Sequence, residues 1–468
     1  SPDLLEREVN GFSIDSRNIK SGEVFFALAQ PDYKNNGFNG DFADSHDFIS
    51  DAFKQGAIAV VAHHDKLETN PNLHRFRDKL LLVKDGIVAL QDLAAGVYQN
   101  WSKPIVGITG SAGKTTAREL TAAVLRAKDW RVLSNEKNYN NGLGHPLTVL
   151  RIVTEGAFDA AVLEMGMSTP MREIERLCRI TPPDVAVELN VLPVHLEHLG
   201  TIENIANAKA ELVQCLKPNG TAILNADDFR VSAMREKSRG ECVLTFGIEN
   251  KADVFASNIT NNGFGKTRFT LETPSGKADV VLKLAGKHNI LNALAAAAVG
   301  IAFEMKPETI AQALSSVAPP PMRGEVLRFI EGFEVINDAY NSNPDALLSM
   351  VKTLVENGEH AKRKIVIAGE MLELGANAAQ IHRETGAKIA ETDVDVIFGV
   401  RGLAQNLVEG AKERGIAETR FFADADEAAN EIINVVRAGD LLLIKGSRGV
   451  RTEKIINKLV EKFEIATS

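Results

Sequence analysis

Short runs of apolar residues recur along the whole chain, separated by longer segments in which apolar residues return every three or four positions. Runs rich in Val, Ile, Leu and Ala are typical of strands that are buried on both faces of a parallel sheet. The segment through Leu90, Leu93, Ala94 and Val97 shows the helical spacing. Strands that alternate with helices predict the α/β fold class. The predicted strands lie at residues 24–28, 57–62, 80–83, 105–109, 160–163, 185–187, 222–224, 333–336, 365–368, 394–398 and 441–444.

Two breaks divide this pattern, at the Trp-Ser-Lys-Pro of residues 101–104 and at the Ala-Pro-Pro-Pro of residues 318–321. Consecutive prolines are stiff and cannot continue a helix. We therefore predict three domains: a small N-terminal α/β domain over residues 1–101, a central domain with a mostly parallel sheet over 102–318, and a C-terminal doubly wound, Rossmann-like domain over 319–468.

Two segments depart from the alternation of strand and helix. Residues 253–284 alternate polar and apolar side chains, which predicts a small antiparallel addition to the central domain. Residues 30–47 are polar and rich in Asn, Asp and Gly, which predicts a loop. The first strand of the third domain is not followed by a G-x-G-x-x-G sequence, so a dinucleotide fingerprint is absent there.

Composition and charge exclude several classes of protein. The 468 residues include 53 Lys and Arg against 62 Asp and Glu, for a formal net charge of −9, which disfavours a general nucleic-acid binder. Three cysteines without C-x-x-C spacing favour a reducing cytoplasm and argue against a disulfide scaffold or a cysteine metal site. The longest apolar stretch, Ala293 to Phe303, is too short to span a bilayer, so no membrane insertion is expected.

The strongest chemical signal is the sequence TGSAGKTT at residues 109–116. Its glycines let backbone N–H groups turn toward phosphate oxygens, and the helix that follows adds its positive N-terminal end. Lys114 supplies a charge, and the Thr115 hydroxyl can bind Mg²⁺. A Walker A motif needs glycine where this chain has Ile108. A glycine-rich turn that only caps a helix is the alternative, but the strand–loop–helix setting favours phosphate binding.

Three further residues are candidates for a metal site. Glu164 ends a predicted buried strand, at the sheet edge where α/β proteins bind ligands, although a surface glutamate is the alternative. Lys209 falls on the apolar stripe of a predicted helix between Ile202 and Leu216, where lysines usually extend their charge to solvent. His195 could contact a metal or could be structural.

Two segments rich in amide side chains suit hydrogen bonding to a polar substrate, but amides and glycines also favour turns. One is NYNNGLGHPLT at residues 138–148, and the other is DAYNSNP at residues 338–344. Asp338 follows a buried strand of the third domain, and Arg323 lies just after the proline linker, where it could reach a cleft between domains. Each of these features is ambiguous alone.

Taken together, these motifs resemble the Mur ligases, ATP-dependent enzymes of cytoplasmic peptidoglycan precursor synthesis. The resemblance covers essentially the whole chain, and the family's phosphate loop reads TGxxGKTT. Within the family, the chain is most similar to the members that join D-alanyl-D-alanine to UDP-N-acetylmuramoyl-tripeptide. The marks of those members are the two amide-rich segments, EMGM at residues 164–167 and GEMLELG at 369–375, and Asp-Ser-Arg at 15–17 also fits.

The resemblance implies a reaction and a set of residues. ATP would phosphorylate the terminal carboxylate of the tripeptide, and the amine of D-alanyl-D-alanine would attack the acyl phosphate. The implied catalytic residues are Lys114, Glu164, His195 and Lys209, with Thr115, Glu164, His195 and a carbamylated Lys209 on Mg²⁺. The implied nucleotide-binding residues are Gly110, Ser111, Ala112, Gly113, Lys114, Thr115, Thr116, His288, Asn289, Asn292, Arg323 and Asp338. The implied substrate-binding residues are Ser16, Arg17, Asn138, Asn141, Tyr340 and Asn341. A cytoplasmic monomer is expected.

Two alternatives remain open at this point. The nearest is another ligase of the same fold, such as a different Mur ligase or a folylpolyglutamate synthase. The other is a nucleotide-driven switch protein without ligase chemistry. Phosphate release that depends on an acceptor amine separates a ligase from a switch, and the identity of that acceptor separates the ligases.

Overall fold

Three β-sheets follow one another along the chain in this computed structural model, which describes residues 7–466 except 39, 41, 137, 170, 195, 262–265 and 320. The sheets contain four, nine and six strands. Most neighbouring strands pair in parallel, and helices connect them, so the predicted three-domain α/β class is confirmed. Within the described part of the chain, no helix has both the length and the apolar character needed to cross a membrane.

The N-terminal sheet has four parallel strands in the order β1-β2-β3-β4. Its last helix starts where Asp85 accepts hydrogen bonds from the backbone N–H groups of Ile87 and Val88. That helix buries Leu90 and Ala94 against strands of the central domain, which joins the two domains through one core. The strands are β1 (Gly11–Ser13), β2 (Glu23–Phe26), β3 (Ala59–His63) and β4 (Leu80–Val83), and the helices are α1 (Gln30–Asn35), α2 (Ile49–Gln55), α3 (His64–Thr69) and α4 (Gly86–Trp101).

The prediction of a loop over residues 30–47 is wrong, because α1 and a 3₁₀ turn at Ser45–Phe48 lie within it. The carboxylate of Asp32 accepts a hydrogen bond from the Ala29 N–H (3.0 Å) and so caps α1. Tyr33 stacks on Phe42 with ring centroids 4.1 Å apart. These contacts depend on the packed domain, so the polar composition of the segment gave no signal for them.

The nine-stranded central sheet has the order β13-β12-β11-β10-β9-β8-β5-β7-β6, which places β5 between β8 and β7. The predicted antiparallel addition is present as β11, β12 and β13, and it continues this sheet, since β11 pairs in parallel with β10. The strands are β5 (Ile105–Thr109), β6 (Val132–Ser134), β7 (Ala160–Glu164), β8 (Val185–Glu188), β9 (Thr221–Asn225), β10 (Cys242–Gly247), β11 (Val254–Asn261), β12 (Thr267–Thr273) and β13 (Gly276–Leu282).

Helices cover both faces of the central sheet. The alanine-rich helix α11 packs against α5 and buries every residue from Ala293 to Gly300. Close packing of this kind holds the start of α5, which follows the predicted phosphate loop. The helices are α5 (Lys114–Arg126), α6 (Gly144–Glu155), α7 (Glu173–Ile180), α8 (Leu196–Leu199), α9 (Ile202–Gln214), α10 (Phe229–Ser232), α11 (Lys287–Ala302) and α12 (Pro307–Ser316).

The C-terminal sheet has the order β14-β15-β19-β16-β17-β18, parallel except for β14 at one edge. The two edge strands were not predicted, because β14 is only partly buried and β18 has two consecutive exposed residues, Arg420 and Phe421. The elements are β14 (Glu325–Arg328), β15 (Glu334–Asp338), α13 (Pro344–Asn357), β16 (Arg363–Gly369), α14 (Ala378–Ala390), β17 (Val396–Val400), α15 (Ala404–Glu413), β18 (Glu418–Phe422), α16 (Ala425–Val435), β19 (Asp440–Lys445) and α17 (Glu453–Lys462).

Candidate functional site

The predicted phosphate loop runs from the end of β5 to the start of α5. Gly113 adopts a φ of 85°, a left-handed conformation that glycine reaches without strain. A Cβ atom at this position would lie 2.5 Å from Oδ1 of Asn292 on α11. The loop therefore passes so close to α11 that only glycine fits at residue 113.

The segment after β8 holds the loop in place. The backbone carbonyl of Asn190 accepts from the Ser111 N–H (3.0 Å). The Asn190 side chain accepts from the Ala112 N–H (2.9 Å) and donates to the Ala112 carbonyl (3.1 Å). The Ser111 hydroxyl donates to the Leu192 carbonyl (3.1 Å) and accepts from the Leu192 N–H (2.9 Å). The first half of the loop is thus held by backbone and side-chain hydrogen bonds to the segment after β8.

We expect Asn190→Ala to weaken ATP binding roughly tenfold, because the polar backbone groups of Ala112 lose a hydrogen-bonding partner and the loop loses its fixed shape. Isothermal titration calorimetry measures the dissociation constant. Asn250→Ala is the matched control, since Asn250 also donates to a backbone carbonyl, that of Ala226 (3.1 Å), but lies outside the cleft. Equal ATP affinity in the Asn190 variant and the control would contradict this role.

Lys114 is the first residue of α5, and its ammonium donates to the Gly110 carbonyl (2.7 Å). Burial lowers the pKa of this lysine, the carboxylate of Glu164 raises it, and the positive charge of Arg323 lowers it. A half-buried ammonium that donates its hydrogen bond to a neutral carbonyl is poorly compensated. An anionic phosphate at the loop would relieve that cost, which agrees with the predicted role.

Two buried carboxylates stand on either side of the phosphate loop. Glu164 ends β7 and Glu188 ends β8, and both strands pair with β5. In the register, Glu164 is opposite Ile108 and Glu188 is opposite Thr109. The loop that leaves β5 therefore emerges between two acidic side chains at the carboxyl edge of the sheet, where α/β proteins bind ligands.

The two carboxylates differ in their partners. Nη1 of Arg118 lies 3.1 Å from Oε1 of Glu164, and Asn140 donates to its Oε2 (3.3 Å). Neither oxygen of Glu188 has a hydrogen-bond partner among the described residues. Burial raises the pKa of Glu188 well above its usual value, Lys209 lowers it, and Asp228 raises it. A buried carboxylate without donors fits a position beside a bound cation.

Glu188 was missed by the sequence analysis, although the signal was present. Val185 to Glu188 repeats the pattern of Ala160 to Glu164, in which an apolar strand ends in a glutamate. Asn190, two residues further, was missed because its partner at residue 112 lies 78 positions away in the chain. Only the fold brings these segments together.

Lys209 lies on α9 with 2% of its surface exposed, and it does not line the cleft itself. Burial, together with the charge of Lys114, lowers the pKa of Lys209 to about 7, although Glu188 raises it. The lysine is therefore buried behind the phosphate loop and does not extend its amine to solvent. His195 lies outside the described residues.

A cleft of about 770 Å³ separates the central and C-terminal domains, within the size range of small-molecule sites. His288 of the central domain and Ser349 of the C-terminal domain meet across it, with 3.2 Å between Nδ1 and Oγ. Burial lowers the pKa of His288 to about 4, so its ring is neutral at physiological pH. The predicted residues that line this cleft are Ser111, Ala112, Gly113, Lys114, Thr115, Thr116, Asn138, Asn141, Glu164, His288, Asn289, Asn292, Arg323, Asp338, Tyr340 and Asn341.

The C-terminal wall of the cleft is held by an ion pair that the sequence did not reveal. Nζ of Lys445, at the end of β19, contacts Asp338 (2.5 Å) and donates to the Asn341 carbonyl (2.8 Å). The guanidinium of Arg323 lies 4.0 Å from the centre of the Tyr340 ring, in a cation–π contact. Lys445 thus links the backbone of Asn341 to Asp338, and Arg323 contacts the ring of Tyr340.

Gly110, which precedes Ser111 in the loop, does not line the cleft itself. The substrate-binding candidates Ser16 and Arg17 lie in a 3₁₀ turn of the N-terminal domain. The Arg17 side chain is 84% exposed and pairs with Asp15 (2.8 Å). A smaller cavity of about 160 Å³ lies next to this turn and is lined by Asp15 and Arg151, but not by Ser16 or Arg17. The structure therefore places Ser16 and Arg17 away from the large cleft, and their role stays a prediction.

Comparison with known proteins gives matches over most of the chain. Family models match at residues 8–98 (Mur ligase family, catalytic domain), 108–300 (Mur ligase middle domain) and 322–448 (Mur ligase, glutamate ligase domain). The UDP-N-acetylmuramoyl-tripeptide–D-alanyl-D-alanine ligase of Bacillus subtilis is 32% identical over 98% of this chain and 95% of that protein.

Solved structures match in fold as well as in sequence. MurF from Acinetobacter baumannii aligns with a TM-score of 0.84 and 28% identity, over 97% of this chain and 94% of its own. MurF ligase from Thermotoga maritima in complex with ADP aligns with a TM-score of 0.81 and 28% identity, over 98% of both chains. The arrangement of all three domains is therefore shared with these proteins.

Proposed function

The chain belongs to the Mur ligase family, and we propose that it is the member that joins D-alanyl-D-alanine to UDP-N-acetylmuramoyl-tripeptide. It is an ATP-dependent ligase of peptidoglycan precursor synthesis that releases ADP and phosphate. The observation that carries this function is the cleft, in which the phosphate loop of the central domain faces Arg323 and Asp338 of the C-terminal domain.

The reaction must activate a carboxylate that does not condense with an amine in water. The terminal carboxylate of the tripeptide attacks the γ-phosphorus of ATP, and ADP leaves. The amine of D-alanyl-D-alanine then attacks the carbonyl carbon of the acyl phosphate, the tetrahedral intermediate expels phosphate, and the nitrogen loses a proton. Positioning and charge stabilisation are the contributions that the protein makes to phosphoryl transfer.

The phosphate loop and its neighbours hold the nucleotide in this proposal. Lys114 exchanges the Gly110 carbonyl for phosphate oxygens, and the N–H groups at the start of α5 bind the same phosphates. The neutral ring of His288 and the buried amides of Asn289 and Asn292 contact the nucleotide beside the loop. All three residues lie on the first turns of α11, and the Asn292 side chain lies against Gly113, which supports the assignment.

The C-terminal wall completes the site. Arg323 approaches the phosphates across the cleft. It lies close enough to Lys114 that its positive charge lowers the pKa of that lysine. Asn138, Asn141, Tyr340 and Asn341 bind the peptide parts of the substrates, and both domains together exclude water that would hydrolyse the acyl phosphate. Ser16 and Arg17 bind the uridine nucleotide at the N-terminal domain.

Mg²⁺ is part of the proposal. The Thr115 hydroxyl and the Glu164 carboxylate would hold it, because this cation prefers hard oxygen ligands. The buried oxygens of Glu188, which lack hydrogen-bond partners within the described residues, support a cation close by. When bound, Mg²⁺ neutralises charge on the phosphate oxygens.

We also propose that Lys209 carries a carbamate and that His195 stands with it at a second metal position. A neutral amine can add CO₂, and a pKa of about 7 leaves much of the Lys209 amine neutral at physiological pH. The carbamate replaces a buried ammonium by two oxygens of the kind that Mg²⁺ binds.

The enzyme is proposed to act as a monomer in the cytoplasm. The three cysteines are free thiols, which agrees with a reducing compartment. Analytical ultracentrifugation of the purified protein would test the oligomeric state.

A panel of acceptors tests the function. With ATP and UDP-N-acetylmuramoyl-tripeptide, we expect D-alanyl-D-alanine to give ADP, phosphate and the UDP-linked pentapeptide. We expect at least about a hundredfold lower kcat/KM with D-glutamate, L-lysine or meso-diaminopimelate, since a site built for the dipeptide loses its contacts with a single amino acid. Strong turnover with a single amino acid, or phosphate release without any acceptor, would contradict the proposed function.

A further inference from the structure

The incoming dipeptide brings two charged ends into the cleft. Its amine has to reach the acyl phosphate, and its carboxylate has to be held elsewhere. An anion in a partly buried site needs a positive partner. This inference rests on the proposed function, because it concerns the acceptor that the function names.

Most positively charged side chains that line the cleft already have a partner in the structure or a role in the proposed mechanism. Lys114 serves the phosphates in the proposed mechanism. Lys445 is 4% exposed and is occupied by Asp338 and the Asn341 carbonyl. Arg323 lies over the Tyr340 ring, and it is close enough to Lys114 that its positive charge lowers the pKa of that lysine. Each of these three groups therefore already has a partner or a role other than binding the carboxylate of the dipeptide.

Arg448 differs from them. It lines the cleft at the start of the 3₁₀ turn that follows β19, and its side chain is 58% exposed. Its hydrogen bonds to the described residues use Nη1, which donates to Oε1 of Glu453 (3.1 Å) and contacts Sδ of Met322 (3.7 Å). An arginine side chain has five donors in a planar fork, so Nε and Nη2 remain able to bind both oxygens of a carboxylate.

The backbone that carries Arg448 is fixed by its neighbour. The Ser447 hydroxyl accepts from the Leu372 N–H (3.0 Å) and donates to the Ser342 carbonyl (3.3 Å). It thereby links the loops that follow β15 and β16 to the end of β19. A guanidinium on such a support, with one edge held by Glu453, can present its other edge in a defined direction.

We propose that Arg448 binds the C-terminal carboxylate of D-alanyl-D-alanine. The enzyme would therefore prefer a dipeptide whose C-terminal carboxylate is free over one whose C-terminus is blocked. The bound carboxylate anchors the far end of the dipeptide at the C-terminal wall. The amine at the other end then faces the phosphate loop. Arg448 acts as a specificity residue and takes no part in phosphoryl transfer.

The test compares D-alanyl-D-alanine with its C-terminal amide, which has no negative charge, for four proteins. These are the wild type, Arg448→Gln, Arg448→Lys and Arg451→Gln. Arg451 is the matched control, because it is an exposed arginine three residues away that does not line the cleft. The readouts are KM and kcat for each acceptor, and KM for ATP and the UDP-tripeptide.

We expect the wild type and Arg451→Gln to show a roughly 10- to 100-fold higher KM for the amide than for the free dipeptide. Arg448→Gln should raise the KM for the free dipeptide by a similar factor and abolish this preference, with unchanged KM for ATP. Arg448→Lys should keep part of the preference, since it keeps the charge but loses the fork.

A carboxylate preference that persists in Arg448→Gln would overturn the proposal. So would a wild-type enzyme that uses the amide as well as the free dipeptide, a result that needs no variant to fold. A wild type that uses neither acceptor would instead contradict the proposed function.

Discussion

Lys114→Ala should lower kcat by roughly 10³-fold, because the variant loses the charge that stabilises the phosphoryl group during transfer. In the structure Lys114 is half-buried, and its ammonium donates to the carbonyl of Gly110 at 2.7 Å. That bond is local to the loop and is made by a residue on the surface of α5, so the fold does not depend on it. ADP release with all substrates saturating measures the effect, and circular dichroism checks the fold.

Lys103→Ala is the control for this variant. Lys103 is exposed and lies just before β5, at the opposite end of the strand from the phosphate loop. It should keep the wild-type kcat. A Lys114→Ala enzyme within about tenfold of the control would show that Lys114 does not act on the transferred phosphate.

Lys209→Ala should also lower kcat by roughly 10³-fold, because it removes the proposed carbamate and with it two oxygens near the metal position. Lys209→Arg should be as inactive, since a guanidinium stays charged and cannot add CO₂. A structural role would give a different result, because arginine could replace lysine in an ion pair with Glu188. Phosphate release measures activity, and thermal unfolding shows whether each variant is folded.

Added carboxylic acids further distinguish a carbamate on Lys209 from a purely structural role of this lysine. Acetate or formate should restore part of the activity of Lys209→Ala, because a small carboxylate can supply oxygens in the space left by the side chain. The wild type should lose activity at limiting CO₂ as the pH falls through about 7, since only the neutral amine is carbamylated. Full activity in Lys209→Arg, or an unmodified Lys209 in a high-resolution electron-density map of the active enzyme, would exclude the carbamate.

Features with local causes could be predicted from the sequence. The phosphate loop needs only the residues from Thr109 to Thr116 and the strand before them, and the structure shows that strand, loop and helix, with the helix starting at Lys114. Glu164 was found because a buried strand is recognisable as an apolar run. Lys209 was found because it falls on an apolar helix face, but the pattern left open whether its amine reaches solvent, and the structure buries it.

Features that depend on distant contacts could not be predicted in this way. The clamp on the phosphate loop joins Ala112 to Asn190, and the ion pair of Asp338 joins it to Lys445, 107 residues later. The helix α1 depends on the stacking of Tyr33 on Phe42, within a segment whose polar composition indicates a loop. The residues in these contacts are far apart in the sequence or lie in segments of polar composition. Local sequence patterns therefore do not predict which of them meet in the fold.

The most direct test of the central claim follows the oxygen atoms of the tripeptide. The UDP-N-acetylmuramoyl-tripeptide is prepared with ¹⁸O in its terminal carboxylate, and the enzyme is given ATP and D-alanyl-D-alanine. If ATP activates that carboxylate as an acyl phosphate, mass spectrometry should find one ¹⁸O in each phosphate released and one in the new amide of the pentapeptide. Phosphate free of ¹⁸O, formed together with ADP, would show that water attacks ATP and would contradict the ligase mechanism.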